Sequence, residues 1–162
     1  MMLDSARMWT VGLLIGLLLV PATSTAQELT QMAPTAGRFT PSGPPLEPPT
    51  KVDSGESCVI DLIQPYTITG SLSGSLQADY RILVAGACGA PMGTFDEQWI
   101  AHGTFTGTHD GASASGRFTY TATVNAGGDI EGRLVFGQGM RGTLRIRGNF
   151  GDGYLSYEGH VE

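Results

Sequence analysis

The chain has 162 residues, enough for one domain, with 24 glycines and a formal net charge of −6. An acidic balance with only one arginine cluster, Arg141, Arg145 and Arg147, excludes the basic stripe that phosphate binding needs, so no nucleic-acid partner is expected. Glycine at about twice its usual ~7 % share, without a G-x-y period, excludes collagen and favours strands, turns and bulges over helices.

Residues 1–26 read as a cleavable signal peptide. Arg7 makes the start weakly positive, Val11–Val20 is an unbroken apolar and glycine stretch, and Pro21 stops it. Ala22–Ala26 then supplies the small residues that a signal peptidase requires. The stretch is shorter than the roughly 20 apolar residues of a spanning helix, so no membrane span is expected after cleavage; a retained anchor is the alternative. The expected location is therefore secreted or periplasmic.

Residues 27–57 hold six prolines, Pro34, Pro41, Pro44, Pro45, Pro48 and Pro49, with few apolar residues and no periodicity. Such composition predicts a disordered, semi-extended linker. Cys58 and Cys88 both follow the leader. An even cysteine count in an oxidising compartment points to a disulfide, the alternative being two separate buried thiols.

From Cys58 to Glu162 the pattern has period two. Leu72, Leu76, Ala78, Tyr80, Ile82 and Val84 share one face, opposed by Ser71, Ser73, Ser75, Gln77, Asp79 and Arg81. The alternation returns through Trp99, Ala101 and Phe105, through Phe118, Tyr120, Ala122 and Val124, through Leu144, Ile146 and Phe150, and through Leu155, Tyr157 and Val161. Turns are expected at Gly86–Gly93, His109-Asp110-Gly111, Asn125–Asp129, Gly137–Gly139 and Gly151-Asp152-Gly153, where glycine supplies positive φ. The prediction is an all-β antiparallel meander closing into a small barrel of about eight strands, because closure removes exposed edges. Glycines share the apolar face in most strands, which leaves interior room for large neighbours such as Phe118 and Tyr120, or for a cavity.

Gly103-Thr-Phe-Thr-Gly-Thr-His-Asp-Gly111, Gly116-Arg-Phe-Thr-Tyr120, Gly137-Gln-Gly-Met-Arg-Gly-Thr-Leu144 and Tyr154-Leu-Ser-Tyr157 together resemble the allene oxide cyclase-like barrel superfamily. The likeness is closest to its uncharacterised bacterial members of the DUF3224 type and covers about residues 67–162. It implies a barrel. The plant cyclases of that superfamily steer a reactive epoxide largely by shape, and their polar groups cannot be placed on this chain.

Chemistry is sparsely signalled. His102 and His109 have opposite parity and His160 is near the end, so no metal site is expected. Asp110, Asp129 and Asp152 sit beside glycines and read as turn residues. There is no nucleophile elbow, no zincin motif and no nucleotide motif, hence no cofactor. Glu97 shares the parity of Trp99 and Phe105, which would point it inward near a strand end and makes it the one weak candidate for an acid or base, while Glu131 faces out; the default expectation for both is a solvated carboxylate. Tyr80, Trp99, Phe105, Phe118, Tyr120 and Tyr157, with Phe136 and Tyr154, either line an apolar pocket or pack a core. Three functions follow as expectations. The first is a non-catalytic exported barrel binding a small apolar ligand or a partner surface. The others are a cyclase- or isomerase-type enzyme working in the barrel cavity, and a structural surface-display module.

Overall fold

A computed structural model describes residues 34–162. The expected signal peptide, and the linker up to residue 33, lie outside the described residues. Among the described residues nine strands follow in order: β1 (Thr35–Pro41), β2 (Thr50–Asp53), β3 (Cys58–Gly70), β4 (Leu72–Val84), β5 (Glu97–His109), β6 (Ala112–Val124), β7 (Asp129–Gln138), β8 (Gly142–Asn149) and β9 (Leu155–Val161). All pairings are antiparallel. The meander from β3 to β9 is closed by β1, which pairs with both β9 and β3, giving an eight-stranded barrel to which β2 is added on the edge of β3. Among the described residues the helical content is one 3₁₀ turn, Phe150–Asp152, and no helix is long and apolar enough to cross a membrane.

The alternating faces follow directly from strand geometry. In β4 every even-numbered position from Leu76 to Val84 is buried while Gln77, Asp79, Arg81 and Leu83 face solvent. β5 and β6 continue this through Trp99, Ala101 and Phe105 and through Phe118, Tyr120, Ala122 and Val124. The β5–β6 hairpin turns on two residues, Asp110 at φ 48° and Gly111 at φ 85°. Positive φ at both central positions is the primed turn whose twist matches paired strands.

Two expectations need correction. The segment 34–57, expected to be part of a disordered linker, contributes β1 and β2, so the barrel domain begins at Thr35 rather than at residue 58. Composition reports local preference, whereas the open edges of β3 and β9 create a demand for hydrogen bonds that only closure satisfies. Thr35 and Phe39 point inward and are buried. The prolines break this edge in two: between β1 and β2 only Ser42 and Leu46 donate backbone N–H groups, to the carbonyls of Pro65 and Ile63 at 3.1 and 2.9 Å. Pro65 lies in that gap, and since N–H and C=O of one strand residue point to the same side, its missing donor falls where the ladder is already interrupted. The second correction is Phe150, which leaves the β8 pattern for the 3₁₀ turn, capped by the Asn149 side chain accepting from Gly151 N at 2.8 Å.

The barrel interior is filled. A Cβ on Gly103 would stand 2.6 Å from Cζ of Phe118, and one on Gly132 would stand 2.6 Å from Cε2 of Tyr120. These two inward glycines exist to let a ring lie flat on the opposing backbone. The rings pack in two groups inside the barrel: Trp99 to Tyr80 at 5.6 Å between centroids and Tyr80 to Tyr120 at 6.1 Å in one, and Phe118 to Phe136 at 6.1 Å in the other. Edge-to-face pairs of this kind contribute about 0.5–1.5 kcal/mol each beyond area burial.

Candidate functional site

Three places in the barrel could hold chemistry: the interior, the outer wall, and the mouth beneath the β4–β5 loop. The six aromatic residues singled out above are all buried, none more than 6 % exposed. The void that Tyr80, Phe118 and Tyr120 border measures about 20 Å³. That is space on the order of one water and far short of an organic ligand, so these rings form a core and enclose no ligand-sized cavity. Their hydroxyls are set by burial. Tyr66 and Tyr80 share a hydrogen bond of 3.0 Å, and desolvation raises the pKa of both. Tyr120 is raised for the same first reason, and its Oη finds no hydrogen-bond partner among the described residues. Tyr157 differs: its Oη accepts from Leu72 N at 3.0 Å and lies 3.1 Å from the Thr69 carbonyl, stitching the β3–β4 turn to β9.

The outer wall carries a shallow groove of about 580 Å³ across β4 to β7. Register explains its lining. Asp79, His102, Thr119 and Val135 form one cross-strand row, and Gln77, Thr104, Arg117 and Gln138 the next. A register shift at Arg117/Phe118 places Gly137 in the groove, and its missing side chain opens it. His102 Nε2 lies 3.5 Å from an oxygen of Asp79, both well exposed. This is a solvated polar face of a two-sided sheet.

The histidines do not converge. His102 faces out, while His109 takes the inward parity at the far end of β5, with Nε2 3.4 Å from Thr35 Oγ1. Among the described residues no three His, Cys, Asp or Glu side chains stand where they could hold a metal ion. Asp129 serves the β6–β7 turn: Asn149 and Asn125 donate to its carboxylate, and those bonds hold its pKa below the usual aspartate value. Glu131 is exposed, 3.8 Å from both Arg145 and Arg147.

The mouth is different in kind. Cys58 and Cys88 are joined, their Cα atoms 5.0 Å apart, and pin the loop of residues 85–96 over the start of β3. Two further contacts fix that loop: Ala126 N donates to Asp96 at 2.8 Å, and Gly127 N to the carbonyl of Gly93 at 2.8 Å. Phe95 folds back onto Gly86, whose lack of a side chain admits the ring. Between loop and wall lies a partly enclosed pocket of about 70 Å³. Ile60, Ile82 and Val84 form its wall, Met92 and Phe95 its cover, and Glu97 is its charged member. Glu97 is 7 % exposed, and the indole Nε1 of Trp99 donates to its Oε2 at 2.7 Å. The i, i+2 spacing on β5 puts both side chains on the inner face, which is legible in the sequence. The loop, which turns an end of the barrel into a pocket, is not: its glycines mark a turn and its cysteine a bridge, but nothing in it signals a cover over the strands.

No family model, curated protein or solved structure matches the chain.

Proposed function

We propose that the protein is an exported, non-catalytic binding domain that holds a small, largely apolar ligand group in the disulfide-capped mouth of its barrel. The observation that carries the reading is the contrast in space: about 70 Å³ at the mouth, against about 20 Å³ in a ring-filled interior. Apolar walls with one placed polar group are the usual make-up of a small-molecule site. The Cys58–Cys88 disulfide favours an oxidising compartment and so supports export. Binding rather than catalysis is favoured by Glu97 standing, among the described residues, with one hydrogen-bond partner, Trp99, and with no second titratable side chain hydrogen-bonded to it. The three-point anchoring of the loop makes the pocket preformed, which lowers the ordering cost of binding.

The test is a methyl NMR titration of the protein with n-butanol. Shifts confined to Ile60, Ile82, Val84 and Met92, and abolished by filling the pocket with Ala87→Phe, are the expected result. No shifts at these methyls, or shifts instead at interior Leu76 and Leu134, would overturn the reading.

A further inference from the structure

We infer that the mouth pocket is built for the head of a primary alkylammonium, with Glu97 as its counter-charge; this deepens the proposed binding function and rests on it.

A carboxylate taken out of water costs several kcal/mol unless charge or hydrogen bonds compensate it. Glu97 is 7 % exposed, yet among the described residues no Lys, Arg or His nitrogen comes within ion-pair distance of it. Its strand neighbours across the sheet are Val84 and Val124. The arginines lie elsewhere: Arg145 and Arg147 are engaged with Glu131 and Arg81 with Asp61, all on the outer wall. One indole N–H, on Oε2, is the compensation the protein supplies. No hydrogen bond engages Oε1 among the described residues; that oxygen keeps contact with solvent, and Glu97 borders the pocket. The site thus presents one open carboxylate oxygen beside an apolar pocket.

The geometry also selects among cations. A divalent metal needs several oxygen ligands, and one carboxylate oxygen does not make a set. A guanidinium binds carboxylates best through two parallel bonds, and Trp99 already occupies one of the two oxygens. A quaternary ammonium needs a cage of rings, and the pocket has one, Phe95. A primary ammonium is a compact point charge satisfied by a single strong acceptor, on a stem that apolar side chains can hold. Ile60, Ile82, Val84 and Met92 supply that surface. A pocket of about 70 Å³ has the volume of roughly two waters, room for a short alkylammonium end and not for a whole drug-sized molecule. Such an end is carried by a free alkylamine and by a lysine side chain alike.

The experiment titrates the whole protein with n-butylammonium chloride, its neutral counterpart n-butanol, N-methylguanidinium and Nα-acetyl-lysine N-methylamide, followed by the methyl signals of Ile60, Ile82 and Met92. Butylammonium is expected to bind about tenfold or more tighter than butanol, and methylguanidinium more weakly than butylammonium. Glu97→Gln, which keeps the acceptor for Trp99, should erase the preference and leave butanol binding unchanged. Equal binding of butylammonium and butanol by the unaltered protein overturns the ammonium assignment while the pocket stands. Binding of neither overturns both. The lysine derivative identifies the source: binding like butylammonium points to a partner's lysine, and binding of butylammonium alone points to a free amine. The comparison on the unaltered protein holds whether or not the variant folds.

Discussion

Replacing Tyr120 by Phe should stabilise this protein, whereas the same change at Tyr157 should destabilise it. Both hydroxyls are buried, in residues 3 % exposed. The Tyr120 oxygen meets no partner among the described residues, so the folded state carries the desolvation cost of an unbonded hydroxyl, about 1–3 kcal/mol. Removing the oxygen beside a void of about 20 Å³ enlarges it by roughly 10 Å³, which at ~24 cal/mol per Å³ costs only about 0.2 kcal/mol. The net expectation is a gain of about 1 kcal/mol. At Tyr157 the oxygen accepts from Leu72 N and can donate to Thr69 O or Leu72 O, at 3.0, 3.1 and 3.3 Å. Its loss strands a buried N–H and should cost about 2–3 kcal/mol. Equilibrium urea unfolding with the disulfide intact reads both. With a slope of about 1–3 kcal/mol per molar urea, the midpoint should rise by several tenths molar for Tyr120→Phe and fall by about 1 M or more for Tyr157→Phe. A fall for Tyr120→Phe comparable to that for Tyr157→Phe would refute the reasoning, because it would mean the Tyr120 hydroxyl is bonded in the folded protein.

The remaining predictions concern the same frame. Removing the disulfide as Cys58→Ser with Cys88→Ser should cost about 3.5 kcal/mol, from a separation of 30 residues in the chain-entropy relation, measured as a lowered guanidinium midpoint. Gly103→Ala should cost about 1–3 kcal/mol or more in the same assay, because the new methyl meets first the Gln77 backbone carbonyl and then the Phe118 ring. Stability should fall above about pH 10: burial raises the pKa of Tyr66, Tyr80, Tyr120 and Tyr157 in the folded protein, so the unfolded chain loses those protons first. The contribution is fully present below the unfolded pKa and declines as pH rises toward the folded values. A stability curve flat from pH 9 to 11.5 would contradict this.

Much of the barrel was legible along the chain. Strand faces are a local property: the alternation from Leu72 to Val84 and from Leu155 to Val161 needs only the two-residue period of the backbone, and Asp110-Gly111 announces its own hairpin. The inward side of Glu97 and the outward side of Glu131 follow from parity alone. What parity cannot report is which element closes the barrel. Thr35–Pro41 carries no strand signal strong enough to outweigh the prolines around it, and it is ordered by hydrogen bonds to β3 and β9, at the two ends of the meander.

The character of the site was likewise decided in three dimensions. Sequence placed glycines and large aromatic residues on one face, and either a cavity or a packed interior satisfied that pattern. Only the tertiary structure set Phe118 over Gly103 and Tyr120 over Gly132, filling the space. The chain by itself determined an all-β barrel, the parity of Glu97, and an even cysteine count consistent with pairing of Cys58 and Cys88. The fold alone decided that Thr35–Pro41 seals the barrel, that rings fill the interior, and that the β4–β5 loop encloses a pocket at the mouth. Strand faces depend on neighbours two residues apart, while closure and packing depend on contacts between residues far apart in the chain.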